Sequence, residues 1–512
     1  MNFIEDHLIT LILFSPLVAS MVILLVPKDR VKLIRWLALI FSLVPLAFAL
    51  YLWFAYDSSQ PGFQFQEQIV WYEPLRSSYH VGVDGISVSM VLLTTLLTPL
   101  ALLISWSITQ EVRAIMALFL FLETGMLGVF VVLDLLLFFV FWEIGLVPMY
   151  FIINRWGSAN KEYASFKFMI VTIAGSIGLL LAIQLIGISM GTFDLLEIME
   201  LWPSFDAPFR LLGLPIMLST STVKAIAFWA MVIAFAIKIP IFPFHTWLPD
   251  AHTEAPTGGS MILAGVLLKL GAYGFLRLIL PLYPEEAKTY ALVLGIAGVI
   301  SIIHGAFTAW GQSDFKRLVA YSSVNHMGFV VLGIAVAAYA TGTASSEDAV
   351  TAMNGSVLQM FNHGLSAAGM FLLVGVIYER THTRDMNAFG GLFPLMPIYG
   401  GILIFTSMAS LGLPGLNGFV SEVLVVVGAW PVFKVLTALS MLGVLITGAY
   451  ILKGIGKVLH GPLNEKWVGH NLEIGLREAL AIAPLMILML LLGIWPSWLL
   501  DVINETVMRL IG

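Results

Sequence analysis

Long apolar runs separated by short polar segments make up most of this chain. A helix needs about 20 apolar residues to cross the hydrocarbon core of a bilayer, and glycine, proline and clustered charges mark where such runs end. By these rules the pattern predicts about 14 membrane spans and an all-α polytopic membrane protein. The predicted spans lie near 8–26, 33–56, 84–107, 112–131, 133–153, 163–190, 222–248, 256–280, 289–310, 317–340, 350–379, 393–432, 434–459 and 476–498.

Two of the predicted spans should be broken helices. Pro240 follows Lys238 closely, and Pro414 lies in the segment LGLPGLNG. Proline has no N–H for the carbonyl four residues back, and its ring crowds the preceding turn. A break inside a membrane is tolerated only where the freed backbone faces protein or a wet cavity. We therefore expect a polar interior beside both breaks.

The two breaks also indicate an internal repeat. Pro240 lies 128 residues after position 112, and Pro414 lies 125 residues after position 289. Each break falls in the fourth of five helices, and an odd number of helices gives the two halves opposite topology, as in transporters. The pattern predicts three N-terminal spans in 1–111, a first five-helix repeat in 112–281, a second, inverted repeat in 282–460 and a C-terminal span in 461–512. A short interfacial helix is expected over Phe193–Trp202.

The distribution of positive charge predicts the orientation in the membrane. With alternating spans, one set of loops carries 15 lysines and arginines and the other carries 7. Cytoplasmic loops carry the excess of positive charge, which predicts that both termini lie outside the cytoplasm. The N-terminus MNFIEDHLIT is acidic before its first apolar run, so we expect a retained span rather than a cleaved signal.

Composition excludes several functional classes. The chain has 59% hydrophobic and 11% charged residues, and its mean hydropathy is +0.95. Soluble domains carry roughly 25% charged residues. No basic cluster suits nucleic acid, and the absence of cysteine excludes disulfides and cysteine-bound iron–sulfur clusters. We find no hydrolase triad spacing, zinc motif or phosphate loop. The remaining candidate chemistry is proton transfer.

Ionisable residues at membrane depth are the candidates for this chemistry. A lysine near the bilayer centre costs about 2.5–3.5 kcal/mol on insertion scales, so Lys238 and Lys269 need a reason to be there. The candidates are Glu123, Glu143, Lys238, Lys269, His304, His326, His363, Glu422 and Lys453. Taking a lysine out of water weakens its preference for the charged form, and a glutamate within about 4–6 Å restores it. Movement of such a glutamate would therefore switch a lysine between holding and releasing a proton.

Structural roles are the alternative for each candidate. Long lysine stems can carry the ammonium to the headgroups, and buried histidines often serve as hydrogen-bonded core residues. The hairpin between the two lysines contains His245, Asp250, His252 and Glu254. Their irregular spacing makes a metal site a weak alternative, and helix-cap and turn roles are favoured.

Four segments of the chain resemble one known family. They are FWEIGLVPMY, AIKIPIFPFHTWLPDAHTEAPTGGSMILAGVLLKLGAYG, QSDFKRLVAYSSVNHMGF and LGLPGLNGFVSE. Together they resemble the antiporter-like subunits of respiratory complex I, the proton-pumping NADH:quinone oxidoreductase. Glu422 stands where the L- and N-type members carry lysine, as in M-type members.

The resemblance implies a role for each matching residue. Glu143 and Lys238 would form the coupling ion pair, Lys269 would be the central proton carrier, and Glu422 the terminal carrier. His326 and His363 would relay protons between them.

The resemblance also implies partners and a location. No cofactor or metal is expected in this chain, because NADH, FMN, iron–sulfur clusters and quinone would be bound by partner subunits. Those partners would be L-, N- and K-type membrane-arm subunits in an energy-transducing membrane, most simply a bacterial plasma membrane. Two alternatives remain at this stage: a subunit of a multi-subunit cation/proton antiporter, and a structural spacer in a membrane arm.

Overall fold

The computed structural model describes residues 3–210 and 217–511, which form a bundle of long helices. The helices, apart from a single turn at Phe3–Asp6, are α1 Leu8–Leu25, α2 Val31–Ala55, α3 Gly85–Ser107, α4 Val112–Val131, α5 Leu135–Trp156, α6 Lys161–Met190, α7 Leu195–Leu201, α8 Thr220–Lys238, α9 Trp247–Glu254, α10 Thr257–Leu282, α11 Pro284–Gly311, α12 Phe315–Ala340, α13 Ser346–Thr381, α14 Pro397–Leu411, α15 Asn417–Val432, α16 Lys434–Leu459, α17 Leu476–Ile494 and α18 Ser497–Ile511. Within the described residues, 13 helices are long and apolar enough to cross a membrane. The shorter apolar helices α14 and α15 together occupy the remaining predicted span.

Both predicted helix breaks are confirmed. Helix α8 ends at Lys238 and the chain becomes helical again at Trp247, and α14 ends at Leu411 before α15 begins at Asn417. Pro240 and Pro414 lie inside these gaps. The division of the chain into two inverted repeats stays a prediction.

Two spans that were predicted as regular helices contain irregular turns. Helix α5 is interrupted at Gly145, between the segments Leu135–Ile144 and Leu146–Trp156. Pro148 explains this interruption, because it cannot donate to the carbonyl of Ile144. Helix α10 contains two π-helical turns, Leu263–Leu267 and Phe275–Ile279.

The sequence pattern missed a β-hairpin and a C-terminal helix. Strands β1 Gln64–Tyr72 and β2 Ser77–Val83 pair antiparallel in a segment predicted only as a loop, and a second, minimal pair joins β3 Phe209–Arg210 to β4 Met217–Leu218. The last span ends at Ile494 rather than near 498, because Pro496 cannot continue the helix. Helix α18 then packs against α3 and α13. The short helix predicted over Phe193–Trp202 is confirmed as α7, and its position at the membrane interface stays a prediction.

Helices α10 and α13 form the centre of the bundle. Every residue in the most apolar stretch of each is buried, whereas α2, α16 and α17 expose most of theirs on the outside. The two central helices cross at Gly265 and Gly364, where a Cβ on Gly364 would lie 3.0 Å from the Gly265 carbonyl oxygen. Only residues without side chains allow this approach, which sets the position of the polar groups described next.

Candidate proton-transfer site

The crossing of α10 and α13 brings Lys269 and His363 together. Lys269 is fully buried, and its Nζ lies 2.8 Å from His363 Nδ1 and 2.5 Å from the Ala264 carbonyl oxygen, to which it donates. The lysine sits between the two π-helical turns of α10, and such turns occur often at functional sites. These contacts hold the lysine inside the bundle, so its ammonium does not reach the headgroups.

His326 and Glu422 continue this line of titratable side chains. The rings of His363 and His326 have centroids 5.7 Å apart, and His326 Nδ1 lies 2.8 Å from Glu422 Oε1. His363 Nε2 is buried and has no hydrogen-bond partner among the described residues. Four of the predicted site residues therefore form one buried line from α10 through α13 and α12 to the broken helix α15.

A glutamine that the sequence analysis did not single out holds the end of this line. Gln359 Nε2 lies 3.3 Å from Glu422 Oε1, and Gln359 Oε1 accepts a hydrogen bond of 2.5 Å from Ser421 Oγ. Gln359 precedes His363 by one helical turn on α13, so polar residues at helical spacing were the available signal. The glutamine amide is held at both ends, which fixes the Glu422 carboxylate against α13.

Glu143 and Lys238 are not joined in this structure. No described carboxylate forms an ion pair or hydrogen bond with Lys238, whose Nζ lies 4.8 Å from the centroid of the Trp142 ring. One Glu143 carboxylate oxygen is buried with no described partner. Glu143 directly follows Trp142 in α5, which places it near the ring that Lys238 faces. The two residues are neighbours through Trp142, without the direct contact of an ion pair.

The three accessory candidates lie apart from the line. Glu123 is buried, and neither of its carboxylate oxygens has a described hydrogen-bond partner. His304 packs against His245, with ring centroids 4.9 Å apart. Lys453 donates to the carbonyl oxygens of Trp310 and Gln312, at 2.5 and 2.8 Å. Lys453 therefore caps the end of α11, and no contact among the described residues links it to the line from Lys269 to Glu422.

The hairpin between Lys238 and Lys269 contains a buried histidine that sequence reasoning assigned to turns. His252 is fully buried, stacks on Phe371 with centroids 4.4 Å apart, and has no described partner for either ring nitrogen. Nearby, Lys316 donates to the Ala255 carbonyl oxygen and lines a cavity of about 230 Å³ together with Glu254. This cavity opens at the face that carries the basic loops.

Comparison with known proteins gives consistent matches across nearly the whole chain. Residues 132–447 match the family described as NADH:quinone oxidoreductase/Mrp antiporter, transmembrane. NADH-quinone oxidoreductase subunit M of Rhodobacter capsulatus is 40% identical over 99% of this chain and 96% of that protein. NADH-ubiquinone oxidoreductase chain 4 of Chondrus crispus is 37% identical over 97% of this chain and 96% of its own length.

Solved structures of related folds match as well. A chain of respiratory complex I from Thermus thermophilus superposes with a TM-score of 0.84 at 28% identity, covering 98% of this chain and all of that one. A chain of the Mrp complex from Dietzia sp. has the same TM-score of 0.84 at 21% identity, covering 100% and 98% of the two chains, which shows a shared fold. The chain therefore belongs to the family of NADH:quinone oxidoreductase and Mrp antiporter transmembrane proteins.

Proposed function

We propose that this chain is a proton-translocating membrane-arm subunit of a complex I-type NADH:quinone oxidoreductase, corresponding to subunit M. The observation that carries the proposal is the buried line from Lys269 through His363 and His326 to Glu422. Intramembrane ionisable residues are costly, and four in one buried line at the centre of a bundle are typical of a proton relay.

The line supports proton transfer from the central lysine to the terminal glutamate. Protonated Lys269 donates toward His363 Nδ1, and His363 Nε2, which has no described partner, can then pass a proton on. His326 passes the proton through Nδ1 to the Glu422 carboxylate, 2.8 Å away. The ring centroids of His363 and His326 lie 5.7 Å apart. A ring rotation or one bridging water molecule would connect their nitrogens for proton transfer.

The open contact between Glu143 and Lys238 supports a switching role. The Trp142 ring now faces the Lys238 ammonium, and an approaching Glu143 carboxylate would replace this weak cation–π contact with an ion pair that stabilises the charged lysine. Moving one charge against a membrane potential of about 150 mV costs about 3.5 kcal/mol. Forming and breaking one buried ion pair supplies energy of this order.

NADH oxidation and quinone reduction take place on partner subunits under this proposal. The chain has no cysteine to bind iron–sulfur clusters. Its neighbours are then the L-, N- and K-type subunits of the membrane arm, and its location is an energy-transducing membrane such as a bacterial plasma membrane.

A cation/proton antiporter subunit is the second candidate, and the shared fold with the Mrp chain favours it. The two functions differ in their partners. Purification of the chain with flavin- and iron–sulfur-containing subunits supports the complex I function, and purification with antiporter subunits alone contradicts it.

Replacement of the central lysine tests the relay. We expect Lys269→Ala, in a correctly assembled complex, to lower proton uptake into vesicles by about 100-fold, because the line loses its first carrier. Quinone reduction should fall in parallel where electron transfer is tied to proton release. Lys269→Arg should also fail, because an arginine stays charged. The proposal would be contradicted if the Lys269→Ala complex took up protons and reduced quinone at the rates of the unmodified complex.

The predicted topology has its own test. Single cysteines introduced in the loops 57–82 and 154–162 should react with a membrane-impermeant maleimide from opposite sides, with 57–82 outside the cytoplasm. Since the natural chain has no cysteine, each label reports one loop alone. Labelling of both loops from the same side would contradict the arrangement with both termini outside.

A further inference from the structure

A cleft of about 540 Å³ lies between the turn that joins α1 to α2 and the turn that joins α3 to α4. Lys28 and Asp29 line it from the first turn, and Glu111 and Arg113 line it from the second. Both turns belong to the loops that carry the excess of positive charge. The cleft therefore opens at the end of the bundle where these four helices leave the membrane.

Two arginines tie the segments on either side of the cleft together. Arg35 Nη2, in the second turn of α2, donates to the Ile108 carbonyl oxygen just beyond the end of α3, at 2.9 Å. Arg113 Nη1, at the start of α4, donates to the Val26 carbonyl oxygen just beyond the end of α1, at 3.2 Å. Because one bridge runs in each direction, the separation of the two turns is fixed by the protein itself.

The charged side chains that line the cleft have both signs, and only one of them has a partner of opposite charge. Both carboxylate oxygens of Glu111 accept hydrogen bonds from Arg155. Arg113 donates only to a backbone carbonyl and keeps its charge unpaired. Lys28 and Asp29 are exposed, and no other described side chain forms an ion pair with either. An occupant with one negative and one positive group would match these three charges.

An exposed apolar stripe on α1 leads up to the cleft. It consists of Val18, Met21, Val22 and Leu25, whose spacing places them on one face of the helix. Leu25 is 83% exposed and lies three residues before Lys28. At 1.5 Å per residue the stripe is about 10 Å long, and it runs into the membrane along a spanning helix. The occupant must therefore combine a charged head with an apolar chain.

We propose that the cleft binds the headgroup of phosphatidylethanolamine from the leaflet on the basic-loop side. Lys28 and Arg113 hold its phosphate, since ammonium and guanidinium groups both form charge-assisted hydrogen bonds to phosphate oxygens. Asp29 accepts from its ammonium, and an acyl chain lies along the stripe on α1. A free phosphate would leave Asp29 unmatched and the stripe bare. This site goes beyond proton transfer, because none of its residues belongs to the line from Lys269 to Glu422.

Native mass spectrometry of the purified full-length chain tests the proposal, with dioleoyl phosphatidylethanolamine and dioleoyl phosphatidylglycerol titrated separately. The double variant Lys28→Gln/Arg113→Gln should bind the ethanolamine lipid about 30-fold more weakly than the unmodified chain. Lys28→Gln alone leaves both arginine bridges in place and should weaken binding about fivefold. Arg30→Gln is the matched control, because it removes an exposed positive charge from the same turn without changing a residue that lines the cleft. Its affinity should equal that of the unmodified chain.

The Asp29→Asn variant tests whether the cleft recognises the ammonium of the headgroup. This variant should bind the ethanolamine lipid about fivefold more weakly. Its affinity for the glycerol lipid should stay the same, because that headgroup has no positive group for Asp29 to accept from.

Four results would overturn the proposal. Equal affinity of the double variant and the unmodified chain for the ethanolamine lipid would show that Lys28 and Arg113 bind no headgroup. An unchanged affinity of Asp29→Asn for both lipids would identify a site for anionic headgroups in general. Displacement of the lipid by millimolar inorganic phosphate would identify a site for free anions. No lipid on the unmodified chain, combined with cross-linking of Lys28→Cys to a neighbouring subunit in the assembled complex, would identify a protein as the occupant.

Discussion

The two ends of the central polar region differ in how their side chains are connected. From Lys269 to Glu422 the residues form one line, with a hydrogen bond at each end and 5.7 Å between the ring centroids of His363 and His326. Gln359, itself held by Ser421, fixes the last carboxylate. Around Lys238 the side chains are close to one another but unpaired, and Trp142 lies beside the ammonium where a carboxylate would be expected. Under the proposed function, the connected half would carry the proton and the open half would switch.

This difference follows from the helices that carry the residues. Lys269 and His363 lie on two wholly buried helices that cross at glycines, so their distance is set by backbone packing. Glu143 lies beside Gly145, where α5 is interrupted, and Lys238 is the last residue of α8 before its break. Helix ends and interrupted turns are the places where a small movement costs least. The open contact is therefore the part of the site where the proposed switching movement would cost least.

The largest loss of proton uptake should come from removing the side chain of Glu143 or of Lys238. We expect Glu143→Ala and Lys238→Ala each to lower proton uptake by about 100-fold, because either change leaves no charge to switch the other. The double variant should be no worse than either single variant if the two residues act as a pair. Proton uptake in vesicles and donor:quinone activity are the measurements.

Glu111→Gln provides the control for this comparison. Glu111 pairs with Arg155 at the surface. Its replacement therefore removes a carboxylate, as Glu143→Ala does, without changing a residue of the site. Its uptake rate should stay close to that of the unmodified complex. If the fold-loss of uptake in the double variant equals the product of the fold-losses in the two single variants, Glu143 and Lys238 act in separate steps.

A smaller effect should come from loosening the connected end. Gln359→Leu removes the amide that holds Glu422 and leaves the titratable groups themselves in place. A hydrogen bond to a charged group is worth about 1.5–3 kcal/mol, so we expect uptake to fall about tenfold. The pH dependence of proton uptake should change as well, because Gln359 no longer fixes the carboxylate that receives the proton. Gln359→Glu also removes the amide and adds a second acid beside Glu422, so it should change the pH profile of proton uptake too. An unchanged pH profile in both variants would assign Gln359 to packing alone.

The smallest effect should come from the residues that lie outside the line. Lys453→Ala removes a cap from the end of α11, and His304→Ala removes a ring packed on His245. We expect proton uptake to change less than about twofold in each, since neither contacts a titratable member of the line. Thermal stability should fall slightly for Lys453→Ala. A tenfold loss of uptake in either variant would require a path outside the one described.

Several features of the fold could be predicted because each depends on a local property of the chain. Apolar length marks the spans, and Pro240 and Pro414 mark the breaks, since a missing N–H acts on its own helix. The sequence pattern did not predict the β-hairpin, because β1 and β2 hold few apolar residues in alternation. The hairpin is also held by a residue distant in the chain, since His80 Nδ1 lies 2.6 Å from Asp194 Oδ2. The hydrogen bond from His80 and backbone N–H groups outweigh burial and lower the pKa of Asp194.

The sequence by itself predicted the titratable groups of the buried line, Lys269, His326, His363 and Glu422, because a polar residue in a long apolar run has no other place to go. Tertiary structure decided which of them touch. Lys269 and His363 lie 94 residues apart in the chain, too far for any local sequence pattern to relate them. They meet only because Gly265 and Gly364 let α10 and α13 cross closely. Lys238 and Glu143 were equally good partners by their chemistry, yet the interrupted helix beside one and the helix end beside the other hold them apart. The physical reason is that contact distance depends on backbone packing between helices, which no single run of residues contains.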